Sequence, residues 1–153
     1  DLALRDAMSA TKFGRPFSFD TPPKVFTGWY KYKAGAQFTD RFMNVLEQRD
    51  YGTIYAVLYD NHNAQGEAIC LYGDNVQTSD RVVALARLDN IDDTPEWTPF
   101  TLNFIYRKAV DAQKLRTGGY SLAIVCSSST SGAEFMGAVG STLWVDQFRV
   151  VCE

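Results

Sequence analysis

Cysteine and histidine are scarce in this sequence, and their placement excludes several chemistries. Three cysteines are present, Cys70, Cys126 and Cys152. An odd count with no Cys-x-x-Cys pair excludes a disulfide framework or a zinc ribbon as the organising device. Cys126, inside an apolar run, reads as a buried thiol, and Cys70 with Cys152 is the pairing left open. His62 is the only histidine. A His-based metal centre therefore has no second His ligand. A Ser–His–acid triad would have to run through His62 without the Gly-x-Ser-x-Gly elbow that presents such a serine. The loop around His62, from Asp60 to Glu67, misses the EF-hand spacing, because His62 and Ala64 stand where ligands are needed. No apolar run approaches the roughly 20 residues that span a bilayer as a helix, and no signal peptide is visible. Lysine and arginine form no cluster and the net charge is −3, so a nucleic-acid partner is not expected. There is no internal repeat and no low-complexity stretch.

Aromatic residues are abundant: ten Phe, eight Tyr and three Trp among 153 residues. Aromatic rings suit strands, and flat rings also stack on sugar faces. The length fits one domain with a sizeable core. Residues 1–13 read as a linker or N-terminal extension, and 14–153 as the domain.

Apolar runs and turn signals alternate along that domain. Arg15 to Phe19 reads as an edge segment because it carries Pro16. Val25 to Lys33, Ile54 to Tyr59, Arg81 to Leu88, Trp97 to Arg107, Tyr120 to Cys126 and Ser141 to Val151 read as strands, with Glu67 to Tyr72 as a shorter one. Phe38, Phe42, Val45 and Leu46 have helical spacing, but the segment 36–50 is short and flanked by strands, which predicts a loop with a helical turn. Val110 to Arg116 is a helical turn or a loop. Many short strands and almost no helix predict an all-β fold, an antiparallel β-sandwich of jelly-roll type.

Six segments also occur in an order that resembles a known family. They are GWYKYKAG (28–35), RD (49–50) followed by IYAVLYD (54–60), TSDRVVALA (78–86), EWTPF (96–100), YSLAIVCSSS (120–129) and GAVGSTLWVD (137–146). Together they resemble the putative carbohydrate metabolism domain family over roughly residues 14–151. The resemblance implies a galactose-binding-like jelly roll belonging to a longer multidomain bacterial protein of the cell envelope, often a surface lipoprotein, or a secreted one. It implies an association with glycans and assigns no catalytic residue.

Sugar binding on a sandwich needs exposed rings and a few polar groups beside them. If Tyr30 and Tyr32 point inward, Trp29 and Lys31 point out. If Leu143 and Val145 point inward, Trp144 points out. Trp97 begins its strand beside the polar loop 89–96, and Tyr59 lies on a central strand. Trp97, Trp29, Lys31, Tyr59 and Trp144 are therefore the candidate glycan contacts. Asp146, in the closing strand, is a candidate ligand for a structural calcium, with Asp20 the nearest second carboxylate; calcium wants six to eight oxygens. Glycoside hydrolysis needs two carboxyls facing each other across a cleft. Asp92, Asp93 and Glu96 crowd one loop instead, and Glu134 lies in another. The expected function is a non-catalytic carbohydrate-binding or glycan-associated module. The alternatives are a structural interaction domain of an adhesin or assembly protein, and a glycoside hydrolase.

Overall fold

The structure, a computed structural model, describes residues 9–153. Most of the expected N-terminal extension lies outside them. The chain runs through β1 (Lys12–Phe13), β2 (Arg15–Phe17), β3 (Val25–Lys33), β4 (Phe38–Thr39), β5 (Val45–Leu46), β6 (Gly52–Asp60) and β7 (Leu71–Tyr72). Next come β8 (Val82–Ile91), β9 (Thr94–Asn103), β10 (Ile105–Tyr106) and the short helix α1 (Ala112–Arg116), then β11 (Tyr120–Ser127), β12 (Gly137–Ala138) and β13 (Thr142–Val151). A five-stranded sheet, in the order β10-β8-β6-β11-β2, faces a three-stranded sheet, β13-β3-β9. Two small sheets, β12-β4-β5 and β1-β7, are appended. Among the described residues every ladder is antiparallel. This is the expected all-β sandwich.

The continuous apolar run of β6 is explained by burial on both faces. Ile54, Ala56 and Leu58 face the three-stranded sheet and join Phe26, Tyr32 and Phe100 in the main core. Tyr55, Val57 and Tyr59 face the other way, where Leu71, Val76 and Phe13 cover them as a second core. Burying each such side chain stabilises the fold by about 1.5–3 kcal/mol relative to exposure.

The strand β3 has the opposite character, with one face buried and one wet. Phe26, Gly28, Tyr30 and Tyr32 point inward, leaving Trp29, Lys31 and Lys33 outward. Gly28 is required by packing: a Cβ there would lie 2.6 Å from the Phe148 ring and 2.8 Å from Phe100. Its absence lets Phe26, Phe100 and Phe148 meet edge-on, with ring centroids 5.1–5.8 Å apart, a favoured geometry for aromatic packing.

Several local expectations change. Phe38, Phe42 and Val45 do not share a helix face; the segment is a small β4–β5 hairpin with Phe38 buried and Phe42 and Val45 exposed. The run from Trp97 to Arg107 divides at the buried Phe104, where the chain leaves the three-stranded sheet and Ile105 pairs with Leu85 of the other. Residues 110–116 contain a true helix. Asp111 caps it by accepting from the Lys114 amide at 2.7 Å, and the fully buried Leu115 anchors it. Five residues are too few for a helix to persist alone, so that anchor holds it. Cys126 is exposed, because the inner face of β11 reaches the margin of the sandwich. Cys70 and Cys152 are both free. Cys70 adjoins β7 over the second core, and Cys152 follows β13 of the three-stranded sheet, so the fold keeps them on different layers.

Candidate functional site

All three tryptophans of the chain stand on the outer face of the three-stranded sheet, one per strand. Trp29 is 39% exposed, Trp97 44% and Trp144 42%. Strand register brings them together. On the central strand β3, Trp29 is paired with Asp146 of β13 on one side and Pro99 of β9 on the other. Lys31, two residues on, is paired with Trp144. Toward β9 the ladder slips between Tyr30 and Tyr32, and the extra residues of that bulge, Trp97 among them, lie beside Lys31. The Lys31 ammonium therefore sits between two indoles, 5.0 Å from the Trp97 ring centre and 5.3 Å from that of Trp144. Both distances fall inside cation–π range.

A hollow of about 420 Å³ opens beside this group, lined by Lys31, Lys33, Asp93, Thr94, Pro95 and Trp144. Among the described residues it holds one carboxylate, and both oxygens of that group are engaged. Asp93 accepts from the Ala34 amide at 2.7 Å and pairs with Arg49 at 2.8 Å. Neither Lys31 nor Lys33 has a carboxylate partner among the described residues.

A second concavity, of about 740 Å³, lies at the end of the sandwich that carries the β4–β5 hairpin and the loop 128–141. Its rim is apolar, with Phe42, Met43, Phe135 and Val139 exposed. Met43 and Phe135 hold left-handed backbone at φ 69° and 56°, a conformation that costs a non-glycine residue about 1 kcal/mol or more. Its floor is organised by Asp50, only 1% exposed. That carboxylate accepts from the Tyr51 amide, the Ser129 hydroxyl, the Ala138 amide and the Ser141 hydroxyl at 2.7–3.0 Å. Asp50 thus ties the chain before β6 to both sides of the loop leading into β13. Nothing in the sequence marked it except its place in the RD pair. Two charged side chains of this cleft are held locally. Asp40 accepts from the Phe42 and Asn44 amides and from the Asn44 side chain, whose hydrogen bond is the main reason its carboxyl lies below the ordinary range. Arg41 stacks on Phe42.

The profile of the putative carbohydrate metabolism domain matches residues 1–151. The chain belongs to that family. Among solved structures, a putative glycoside hydrolase from Bacteroides thetaiotaomicron is 41% identical, with a TM-score of 0.86 over 95% of this chain and 42% of that one. A putative glycoside hydrolase from Bacteroides vulgatus is 39% identical, with a TM-score of 0.83 over 97% of this chain and 58% of that one. The domain therefore spans about half the length of these structural relatives. No curated protein matches it.

The carboxylates weighed for hydrolysis, Asp92, Asp93, Glu96 and Glu134, are all exposed in this carbohydrate metabolism domain. A glycosidic general acid is held in an apolar pocket that raises its pKa. Asp92 is exposed, and the Asp93 amide first, then the Arg49 guanidinium, hold its carboxyl below the ordinary range. Asp50 is buried but saturated with donors. Glu96 and Glu134 are exposed, on β9 and in the 132–134 turn.

Three other candidates remain, Tyr59, Asp146 and Asp20. Tyr59 is fully buried in the second core and donates its hydroxyl proton to the Phe13 carbonyl at 2.6 Å, so it presents no face to a sugar. Its strand is covered on both sides, which the unbroken apolar run already signalled. Asp146 and Asp20 are separated. Asp146 is paired with Trp29 and accepts from the Gln147 amide. Asp20 precedes Thr21, which bonds the Cys152 carbonyl beyond the other end of β13. Five or more residues of strand lie between those points, roughly 15 Å. Among the described residues no group of three or more His, Cys, Asp or Glu side chains is placed to hold a metal ion.

Proposed function

We propose that this domain is a non-catalytic carbohydrate-binding module whose binding surface is the outer face of the three-stranded sheet. The observation that carries the reading is the gathering of all three tryptophans on adjacent strands of one exposed face, with Lys31 between two of them. Soluble domains rarely leave such large rings in one exposed patch without a partner. Flat rings stack on the C–H face of a pyranose, and the neighbouring ammonium groups supply hydrogen bonds to its oxygens. A sheet face is open at both ends of the patch, which suits an internal segment of a polysaccharide. We further propose that the host protein acts at the bacterial cell envelope, as a surface lipoprotein, or as a secreted protein. The Bacteroides relatives, named as putative glycoside hydrolases, support a glycan setting. In that setting the domain holds substrate while another part of the longer chain performs the chemistry.

Affinity electrophoresis through gels containing polysaccharides tests the binding reading. The wild-type domain is expected to be retarded by at least one polymer, and Trp97→Ala or Trp144→Ala to weaken that retardation by about tenfold or more. Retardation unchanged in both variants would remove the platform. Release of reducing sugar by the isolated domain, abolished by Glu96→Gln or Glu134→Gln, would establish the hydrolase reading instead.

A further inference from the structure

We infer that the platform selects acidic sugars, those carrying a carboxylate or sulfate group, and that Lys31 and Lys33 are the residues that read the acid. The inference rests on the platform reading and adds the chemical class of its ligand.

Lys31 and Lys33 are two residues apart on the outer face of β3, which places their stems about 7 Å from each other. Both line the hollow beside Trp144. Among the described residues the only acid lining that hollow is Asp93, and its two oxygens are taken by the Ala34 amide and the Arg49 guanidinium. Asp146, the carboxylate across the β3–β13 ladder, is opposite Trp29 rather than either lysine and accepts from the Gln147 amide. The hollow therefore presents two ammonium groups with no carboxylate partner among the described residues, in a domain whose net charge is −3. That local excess runs against the overall charge, so it is not the by-product of a basic protein. The indoles hold the Lys31 ammonium over their faces instead of releasing it to solvent. A pyranose stacked on Trp144 would set an equatorial carboxylate or sulfate between the two ammonium groups. Each contact would be a charge-assisted hydrogen bond, stronger than the neutral kind that an uncharged sugar can offer.

The test uses a panel of matched pairs: polygalacturonate, alginate and glucuronoxylan against their carboxyl-reduced forms, and dextran sulfate against dextran. Dissociation constants are measured for the wild type and for the double variant Lys31→Met, Lys33→Met, which keeps every tryptophan. The expected result is that at least one acidic polymer binds about tenfold or more tighter than its neutral partner. That preference is expected to weaken with added salt and to disappear in the double variant. The carboxylate and sulfate arms identify which acid is read. Equal or tighter binding of the neutral partners, or a preference that survives loss of both lysines, would overturn the inference while leaving the platform intact. Failure of the wild type to bind any member, acidic or neutral, would overturn both. Both lysines lie on the open face of the sheet, and a cooperative melting curve lowered by no more than about 4 °C would confirm that the variant is folded.

Discussion

Lys31 and Trp144 face each other across the β3–β13 ladder, with the ammonium 5.3 Å from the indole centre and a second indole, Trp97, at 5.0 Å on the other flank. The contact is solvent-facing, where each cation–π pair contributes about 0.5–1 kcal/mol. Lys31→Met is therefore expected to lower unfolding free energy in urea by about 1 kcal/mol or less. A loss several times larger would make Lys31 a structural residue.

Asp50 carries a different weight. Four donors converge on a carboxylate that is almost wholly buried. Asp50→Asn turns one acceptor end into a donor, which then opposes donors already in place. The expected cost is about 3 kcal/mol, or roughly 10 °C in Tm. Hydrogen exchange should rise at whichever amide is left facing the new NH2 group, Tyr51 or Ala138. Protection at both amides equal to wild type would contradict this role.

Asp60 and Lys114 form a half-buried pair that gives a pH signature. Burial works to raise the Asp60 pKa, but the Lys114 hydrogen bond, the His62 amide and the nearby charges of Lys114 and Arg81 outweigh it and leave it below the ordinary 3.8. A carboxyl depressed in the folded state contributes stability that is fully present above its unfolded pKa and is lost as pH falls through the folded one. Wild-type stability should decline more steeply below about pH 4 than that of Asp60→Asn. Parallel profiles in that window would show that the pair is not coupled to folding.

Tyr59→Phe separates core from surface. It removes the hydrogen bond to Phe13 that joins the central strand to the N-terminal segment, and leaves the ring in place. Stability should fall by about 1 kcal/mol, with polysaccharide retardation unchanged. Loss of binding at full stability would return Tyr59 to the binding surface.

The contrast between these residues shows what was legible before the fold. The alternation of β3 already sorted Trp29 and Lys31 from Tyr30 and Tyr32, because a strand with one wet face writes its period into the sequence. That Trp97 and Trp144 flank the same lysine depends on two ladder registers and a bulge, which single-strand patterns do not encode. Asp50 was illegible for a related reason: apart from its neighbour Tyr51, its donors come from positions 129, 138 and 141, far along the chain. Phe38 and Phe42 misled because their helical spacing coincides with a hairpin whose tip leaves Phe42 in solvent.

The most direct test of the platform uses the protein's own fluorescence. Every tryptophan lies on the outer face of the three-stranded sheet, so the emission reports that surface and no other. A polysaccharide that retards the domain should shift tryptophan emission to the blue and protect it from iodide quenching, at the concentration where retardation is half complete. Binding with unchanged emission and quenching, and lost instead on Phe42→Ala or Phe135→Ala, would contradict the platform and move the site to the cleft at the end of the sandwich.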